Sequence, residues 1–538
     1  MVAPPSAAGR EWSGWEVRVS HRLGTIPRPH SGIARIDMFS SDMLTKIASE
    51  GLDYIKTQKD ISGAEVFISS ISHLISRIHY TSFIPCNGVE EPKSTLSYGI
   101  GIQAVFTDGG RKRIGFGSQA GDISIDGIRG AVEKARLSAV EDPDFHDLPS
   151  PTGFPLLDPG YHDQRLMDLG DEGLVDLGWR ALEGALETFE GNRLTGSIII
   201  GGDINVVQER MVVMSTAGIE AWDEAAHVSA SITTMIEEDN AKGSGWEIGM
   251  RHDSFSPDRA GKTAALSAIH SRQGRRVSSG RYKLILGPQP VADLLEHIVI
   301  PSLTLSVVDA ASSTFLGRYG QPVADRRLTV YDDGAVRGFP MSRRYTCEGL
   351  VTGRTDLIKN GVLVGYLSNN YYRNKVLNDP AARDKIGAAP SSLGDAIAPR
   401  SGFRPGESII RNFMTRPSIV PTNVFVEGSE TVLLDDLLRE IGEGIYIGRI
   451  WYTYPINGLL AGDFTCTVVG DSYLIEDGKI AAPLKPNSVR IADNIHHLLN
   501  QIVGITGEQK PVILWGAPEV VYSPEIAVQD ISLYAIGE

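Results

Sequence analysis

Zinc hydrolases of the HExxH type set two histidines one helical turn apart, with a glutamate beside the first to act as base. No histidine in this chain is followed by glutamate. An inverted fragment does occur, Asp293-Leu294-Leu295-Glu296-His297, but an inverted zinc motif needs histidine where Asp293 stands. Pro290 suits the first turn of a helix. Val291, Leu294, Leu295, Ile298 and Val299 then fill one face, which predicts Asp293, Glu296 and His297 on the other. Asp293 and His297 are four apart and can touch. Such a pair can bind metal, or it can simply hydrogen bond along a solvated helix, and the residues alone leave both readings open. His496 and His497 are adjacent, so on a helix they diverge by about 100° and cannot easily share one metal. The chain has no GxSxG elbow and no phosphate-binding GxxxxGK[ST] loop. The run Gly115-Phe116-Gly117-Ser118-Gln119-Ala120 fits only the looser GxGxxA form of the dinucleotide fingerprint, and it reads as a turn between a strand and a helix.

The elements that must position these groups belong to a chain of 538 residues, long enough for two or more domains. Hydrophobic residues are 42% and charged residues 22%, ordinary for a globular protein. A formal net charge of −15 argues against a surface built to hold nucleic acid. Cys86, Cys347 and Cys466 are widely spaced, so neither a disulfide framework nor a cysteine-rich zinc site is expected, and a reducing cytoplasm fits. The first 15 residues show no apolar stretch of signal-peptide type, and no run of about 18 apolar residues predicts a membrane span.

Hydrophobic periodicity predicts a helix over 43–56 and strands over 64–71, 75–83, 97–106 and 112–117. Asp108-Gly109-Gly110 forms a hairpin loop before a helix over 123–140. Strands followed by a helix favour α+β over a doubly wound sheet. Residues 141–170 read as a connecting loop, 173–190 as a helix, 195–200, 204–214 and 228–237 as strands, and 261–270 as a helix. Residues 1–40 read as an arm. The expected domains are 41–275, a mixed sheet-and-helix domain, and 276–538, rich in strands.

Three blocks carry more specific information. Residues 355–367 (TDLIKNGVLVGYL) lead into 368–376. Ile441-Gly442-Glu443-Gly444-Ile445-Tyr446 precedes Gly462-Asp463-Phe464. Residues 472–480 (SYLIEDGKI) and Pro483 follow. In this order they resemble the TldD/PmbA family, with its IKDG-L---L stretch and its TGDF … GYLIENGKI--PV block. Ala64-Glu65-Val66 and residues 97–101 resemble that family's N-terminal strands more loosely. In TldD-type members an HExxxH helix and a cysteine near the C-terminus hold zinc. Placed by the downstream Ser313-Thr314-Phe315, His297 falls on the first histidine, Ile298 on the glutamate and Ser302 on the second histidine. No cysteine follows Cys466. The resemblance therefore implies a TldE-like, PmbA-like chain with no catalytic or metal-binding residue of its own. Its partner would be a TldD-like subunit that carries the zinc, the substrate a peptide or amide, and His297, Glu296 and Asp293 the candidate cleft-lining residues. Neither nucleic acid nor membrane is an expected partner. Two other readings stay open: a self-sufficient hydrolase using Asp293, Glu296 and His297, and a regulatory binding protein. The arm at 1–40 and the insertions near 377–410 depart from a compact TldE-like chain.

Overall fold

Gly109 and Gly110 both take positive φ, 55° and 83°, and join two strands whose last paired residues are Asp108 and Arg111. A two-residue loop with both φ positive matches the right-handed twist of the strands it joins, which is why glycine is wanted at both places. This hairpin belongs to the first half of a computed structural model that describes residues 38–537, apart from 84–86, 157, 159–162, 195 and 407–408. The expected arm (but for 38–40) and Cys86 lie outside the described residues.

The first half contains α1 (Ser41–Lys56), β1 (Ile61–Thr81), β2 (Gly88–Val89), β3 (Lys93–Asp108), β4 (Arg111–Ala120), α2 (Ile125–Leu137), α3 (Gln164–Met167), α4 (Asp171–Gly191), β5 (Ile198–Ser215), β6 (Glu220–Ile236), β7 (Ala241–Gly249) and α5 (Pro257–His270). The strands form one antiparallel sheet in the order β4-β3-β1-β5-β6-β7, with β2 beside β1. Alternation sorts its side chains. Val66, Ile68 and Val212 face α1 and α2, while Leu74, Ile78, Ile200 and Ile204 face α4 and α5. The opposite face carries Glu65, Phe67, Glu209, Met211, Val213 and Asp223. At this end it is covered by C-terminal segments through Tyr331, Met341, Phe403, Phe413 and Phe425.

Two strands are longer than the periodicity predicts. Residues 64–83 split into two expected strands, yet β1 runs unbroken from Ile61 to Thr81. The polar Ser72 and His73 that suggested a break still pair in the ladder, with Gln208 and Val207 of β5. β5 likewise joins the two strands expected over 195–214. The GxGxxA run lies in β4 as a strand, not a turn. A Cβ on Gly115 or Gly117 would stand 1.9 Å from the Ala135 carbonyl oxygen or 2.1 Å from that of Ala131. These glycines let α2 pack directly on the strand.

The second half opens with β8 (Gly280–Leu286) and α6 (Pro288–Leu294). It builds a nine-stranded sheet in which Arg449–Pro455 is one edge, followed by Asp463–Gly470, Val489–Asn494, Ile526–Ala535, β8, Gly444–Ile447, Tyr473–Glu476 and Lys479–Pro483; Ile502–Ile505 pairs off this path with Ile526–Ala535. A six-stranded sheet is centred on Leu328–Asp333 and Asn423–Gly428. Most pairs are antiparallel; β8 with Gly444–Ile447 and Asn423–Gly428 with Val520–Ser523 are parallel. The fold is thus mixed α+β, as the order of elements predicts. Residues from Met38 onward form one compact unit. Among the described residues, no helix is long and apolar enough to cross a membrane.

Candidate functional site

The helix predicted from Pro290 is present, and its interior is irregular. After α6, Leu295–Val299 forms a π turn before the chain resumes an α turn at Ile300–Ser302. The Ile300 N–H reaches back five residues to the Leu295 carbonyl. Pro301 supplies the cause: it has no N–H to donate to the His297 carbonyl four residues earlier, and its ring crowds that oxygen. A π turn changes what spacing means. Residues five apart point roughly 140° apart on an α-helix, whereas a π turn's i→i+5 bond brings such residues toward one side. A pair spaced like His297 and Ser302 needs this widening to share a face.

The side chains around that turn are engaged in packing and in hydrogen bonds within the chain. Val291, Leu294, Leu295, Ile298 and Val299 are buried, as the pattern predicts. Asp293 was expected on the opposite, open side, but it is only 5% exposed. The correction has a plain origin: α6 also packs against the edge strand Arg449–Pro455, so two of its sides are covered. Gln289 ties the two together, donating to Asp293 at 3.0 Å and to the Ile450 carbonyl at 3.2 Å, and accepting from the Ile450 N–H at 2.9 Å. Burial pushes the Asp293 pKa up, opposed by the Thr453 hydroxyl and the His297 ring.

His297 is half exposed, and its Nδ1 donates to the Asp293 carbonyl oxygen at 2.9 Å, with the Asp293 carboxylate 3.5 Å away. Glu296 is partly exposed. Ser302 is fully buried and donates to the Ile298 carbonyl at 2.8 Å. Among the described residues, no group of three or more His, Cys, Asp or Glu side chains is placed to hold a metal ion. Both described cysteines are buried and unpaired. Burial pushes the Cys347 thiol up to about 12 and raises that of Cys466 further, with Asp293 adding to the latter. A metal-binding thiolate is favoured by the opposite environment. His496 and His497 do diverge: the first meets the Thr314 hydroxyl at 2.7 Å and the second the Asp493 carboxylate at 3.0 Å.

Sequence reasoning missed a buried ionic seam on the covered face of the N-terminal sheet. Arg343 donates twice to Glu209, at 2.8 and 3.2 Å. Arg411 donates to Asp223 at 2.6 Å, Arg344 to the same carboxylate at 3.1 Å, and Arg404 to Glu65 at 2.6 Å. Beside it, burial and then the Glu65 charge raise the Glu348 pKa to about 8, against the Asn370 N–H it accepts and Arg404. Burial holds His227 neutral, down to about 4. The partners lie 121 to 339 residues apart in sequence, so no local pattern reports them.

Residues 279–534 match the family described as the PmbA/TldA metallopeptidase C-terminal domain. An uncharacterized protein of Methanocaldococcus jannaschii is 24% identical over 443 residues, covering 81% of this chain and 91% of that protein. A metalloprotease TldD homolog of Haemophilus influenzae is 24% identical over 299 residues, 53% of this chain and 56% of the relative, so the match spans about half the length of that protein. In three dimensions the chain is similar to TldE from Thermococcus kodakarensis, with a TM-score of 0.70 at 17% identity, covering 91% of this chain and 100% of that one. Domain match, relatives and fold agree with the order of the 355–367 and 462–483 blocks: residues 279–534 carry the C-terminal domain of the TldD/PmbA family, and the chain as a whole has a TldE-like fold.

Proposed function

We propose that this chain is the non-catalytic, TldE-like subunit of a heterodimeric zinc peptidase, in which a TldD-like partner holds the metal and the pair cleaves small or modified peptides. The observation that carries this reading is the state of the three positions where the family's HExxxH helix places its chemistry. His297 turns its Nδ1 back onto its own helix. Ile298 is a fully buried hydrocarbon that can neither ligate nor accept a proton. Ser302 is buried with its hydroxyl already donated to the Ile298 carbonyl. A catalytic zinc site takes about three protein ligands and leaves one position for water, and these residues do not fit that requirement. His297 Nδ1 is spent on the Asp293 backbone carbonyl and the Asp293 carboxylate accepts from Gln289, which speaks against the rearranged site of Asp293, Glu296 and His297. The backbone keeps the π turn that a five-residue ligand spacing uses, which fits a chain derived from a metal-binding ancestor.

On this reading the chain contributes binding surface and helps enclose the cleft where peptide is cut. Co-expression with a TldD-like chain, followed by sizing chromatography and a peptide hydrolysis assay, tests it. The expected result is a stable hetero-oligomer that is active only when both chains are present. Two separate homomers at micromolar concentration would overturn it.

A further inference from the structure

The far end of the N-terminal sheet's outer face is not covered as the ionic seam is. There β5, β6 and β7 form one wall of a cleft of about 540 Å³, and the edge strand Arg449–Pro455 with its neighbour Asp463–Gly470 forms the other. The first wall is small and polar. Gly201 of β5 pairs with Thr233 of β6, which pairs with Ser244 of β7, and Lys242 lies one row away opposite Met235. The second wall presents Arg449 and Trp451, closed at its base by Asp471. The volume falls in the range of small-molecule sites.

Two cations face this space. The Lys242 ammonium and the Arg449 guanidinium make no hydrogen bond or ion pair among the described residues. The carboxylate in the wall, Asp471, is engaged elsewhere: it accepts from the Ser267 hydroxyl of α5. Asp293 lies close enough to act on Arg449 through its charge, yet it is held by Gln289. Burial lowers the Arg449 pKa, opposed by Asp471 and Asp293. A guanidinium drawn this far from water with no acceptor is costly, and a ligand carboxylate is the group whose geometry matches its paired N–H donors. The Trp451 ring beside it offers apolar area for a side chain, and the open N–H and C=O groups of a peptide suit the hydroxyl-lined wall of Thr233 and Ser244.

We infer that this cleft is a binding site for the C-terminal carboxylate of a short peptide, with Arg449 and Lys242 as its anchors and Trp451 as its apolar wall. The site belongs to this chain alone and needs neither zinc nor a second subunit, so it stands or falls apart from the heterodimer reading.

Calorimetric titration of the full chain, purified by itself at pH 7, tests it with the tripeptide N-acetyl-Ala-Leu-Ala as the free acid and as the C-terminal amide. The expected result is binding of the acid and at least about tenfold weaker binding of the amide. Arg449→Met should lose at least about tenfold in affinity for the acid, and Arg449→Lys should recover part of it, because the charge returns without the paired donors. Lys242→Met changes an exposed residue, keeps the fold, and should weaken the acid several-fold. Equal binding of acid and amide, unchanged affinity in Arg449→Met and Lys242→Met, or no binding of the acid at millimolar concentration would each overturn the site. If the acid does not bind but Arg449→Met breaks co-purification with a TldD-like chain, the guanidinium belongs to a subunit interface and the inference is wrong.

Discussion

Among the described residues, Arg343, Arg404, Arg411 and Arg449 show two ways in which an arginine is drawn from bulk water. Arg343, Arg404 and Arg411 are fully buried on the covered half of the N-terminal sheet, each donating to its own carboxylate on Glu209, Glu65 or Asp223. Arg449 stands at the open half of the same face, partly buried and, among the described residues, without a hydrogen-bond or ion-pair partner. Where every buried charge is matched, removing a partner strands a charge and the role is structural. Where one is unmatched beside an open space, the missing partner is a ligand. The two ends of one sheet face thus divide the work between holding the halves of the chain together and presenting a surface.

The largest expected effect comes from breaking the matched end. Glu209→Gln leaves Arg343 buried beside a neutral amide and should cost roughly 3–5 kcal/mol of stability, read as a lowered denaturant midpoint. Gly117→Ala comes next. Its Cβ would press on the Ala131 carbonyl, separating α2 from β4, and a loss of roughly 1–3 kcal/mol is expected from overpacking. Substitution of the neighbouring Ser118, half-buried at the same strand, offers a control within about 0.5 kcal/mol.

A third effect depends on pH. The folded-state pKa of Glu348 is raised, to about 8, so its contribution is fully present below the ordinary glutamate range and is lost as pH rises toward 8. His227 is lowered to about 4, so its contribution is present above the ordinary histidine range and is lost as pH falls toward 4. Stability should therefore fall on both sides of mildly acidic pH. Glu348→Gln should flatten the alkaline limb by roughly 3 kcal/mol between pH 5 and 8 and leave the acid limb in place; parallel limbs in the two proteins would contradict the assignment. The smallest effect belongs to the unmatched end. Arg449→Met should change stability by no more than about 0.5 kcal/mol or raise it, since no hydrogen bond or ion pair is lost and relief of its burial offsets the attraction of Asp471 and Asp293. A loss like that of Glu209→Gln would show that Arg449 is a structural cation after all.

How far the sequence speaks follows the same division. The Gly109-Gly110 hairpin, α1, α2 and the apolar face of 291–299 are written in adjacent residues, and periodicity finds them. β1 and β5 read as broken because polar residues inside a strand look like loop when the partner strands are unknown. Asp293 reads as solvent-facing because one helix has one visible apolar stripe, and the edge strand that covers its second side is about 160 residues away. The π turn could have been suspected from Pro301, four residues after His297. The ionic seam and the cleft come from residues hundreds of positions apart, where single-sequence patterns carry nothing. The ordered blocks at 355–367 and 462–483 reached the family without any of that geometry.

The central claim is that this chain has no zinc site of its own and depends on a partner for one. The direct measurement is metal analysis of the chain purified alone, and of each subunit after separation from the hetero-oligomer, in the native protein and in His297→Ala. The expected result is no stoichiometric zinc in this chain, zinc in the TldD-like partner, and the same zinc content of the complex with His297→Ala. Stoichiometric zinc in the isolated chain that disappears with His297→Ala would contradict it.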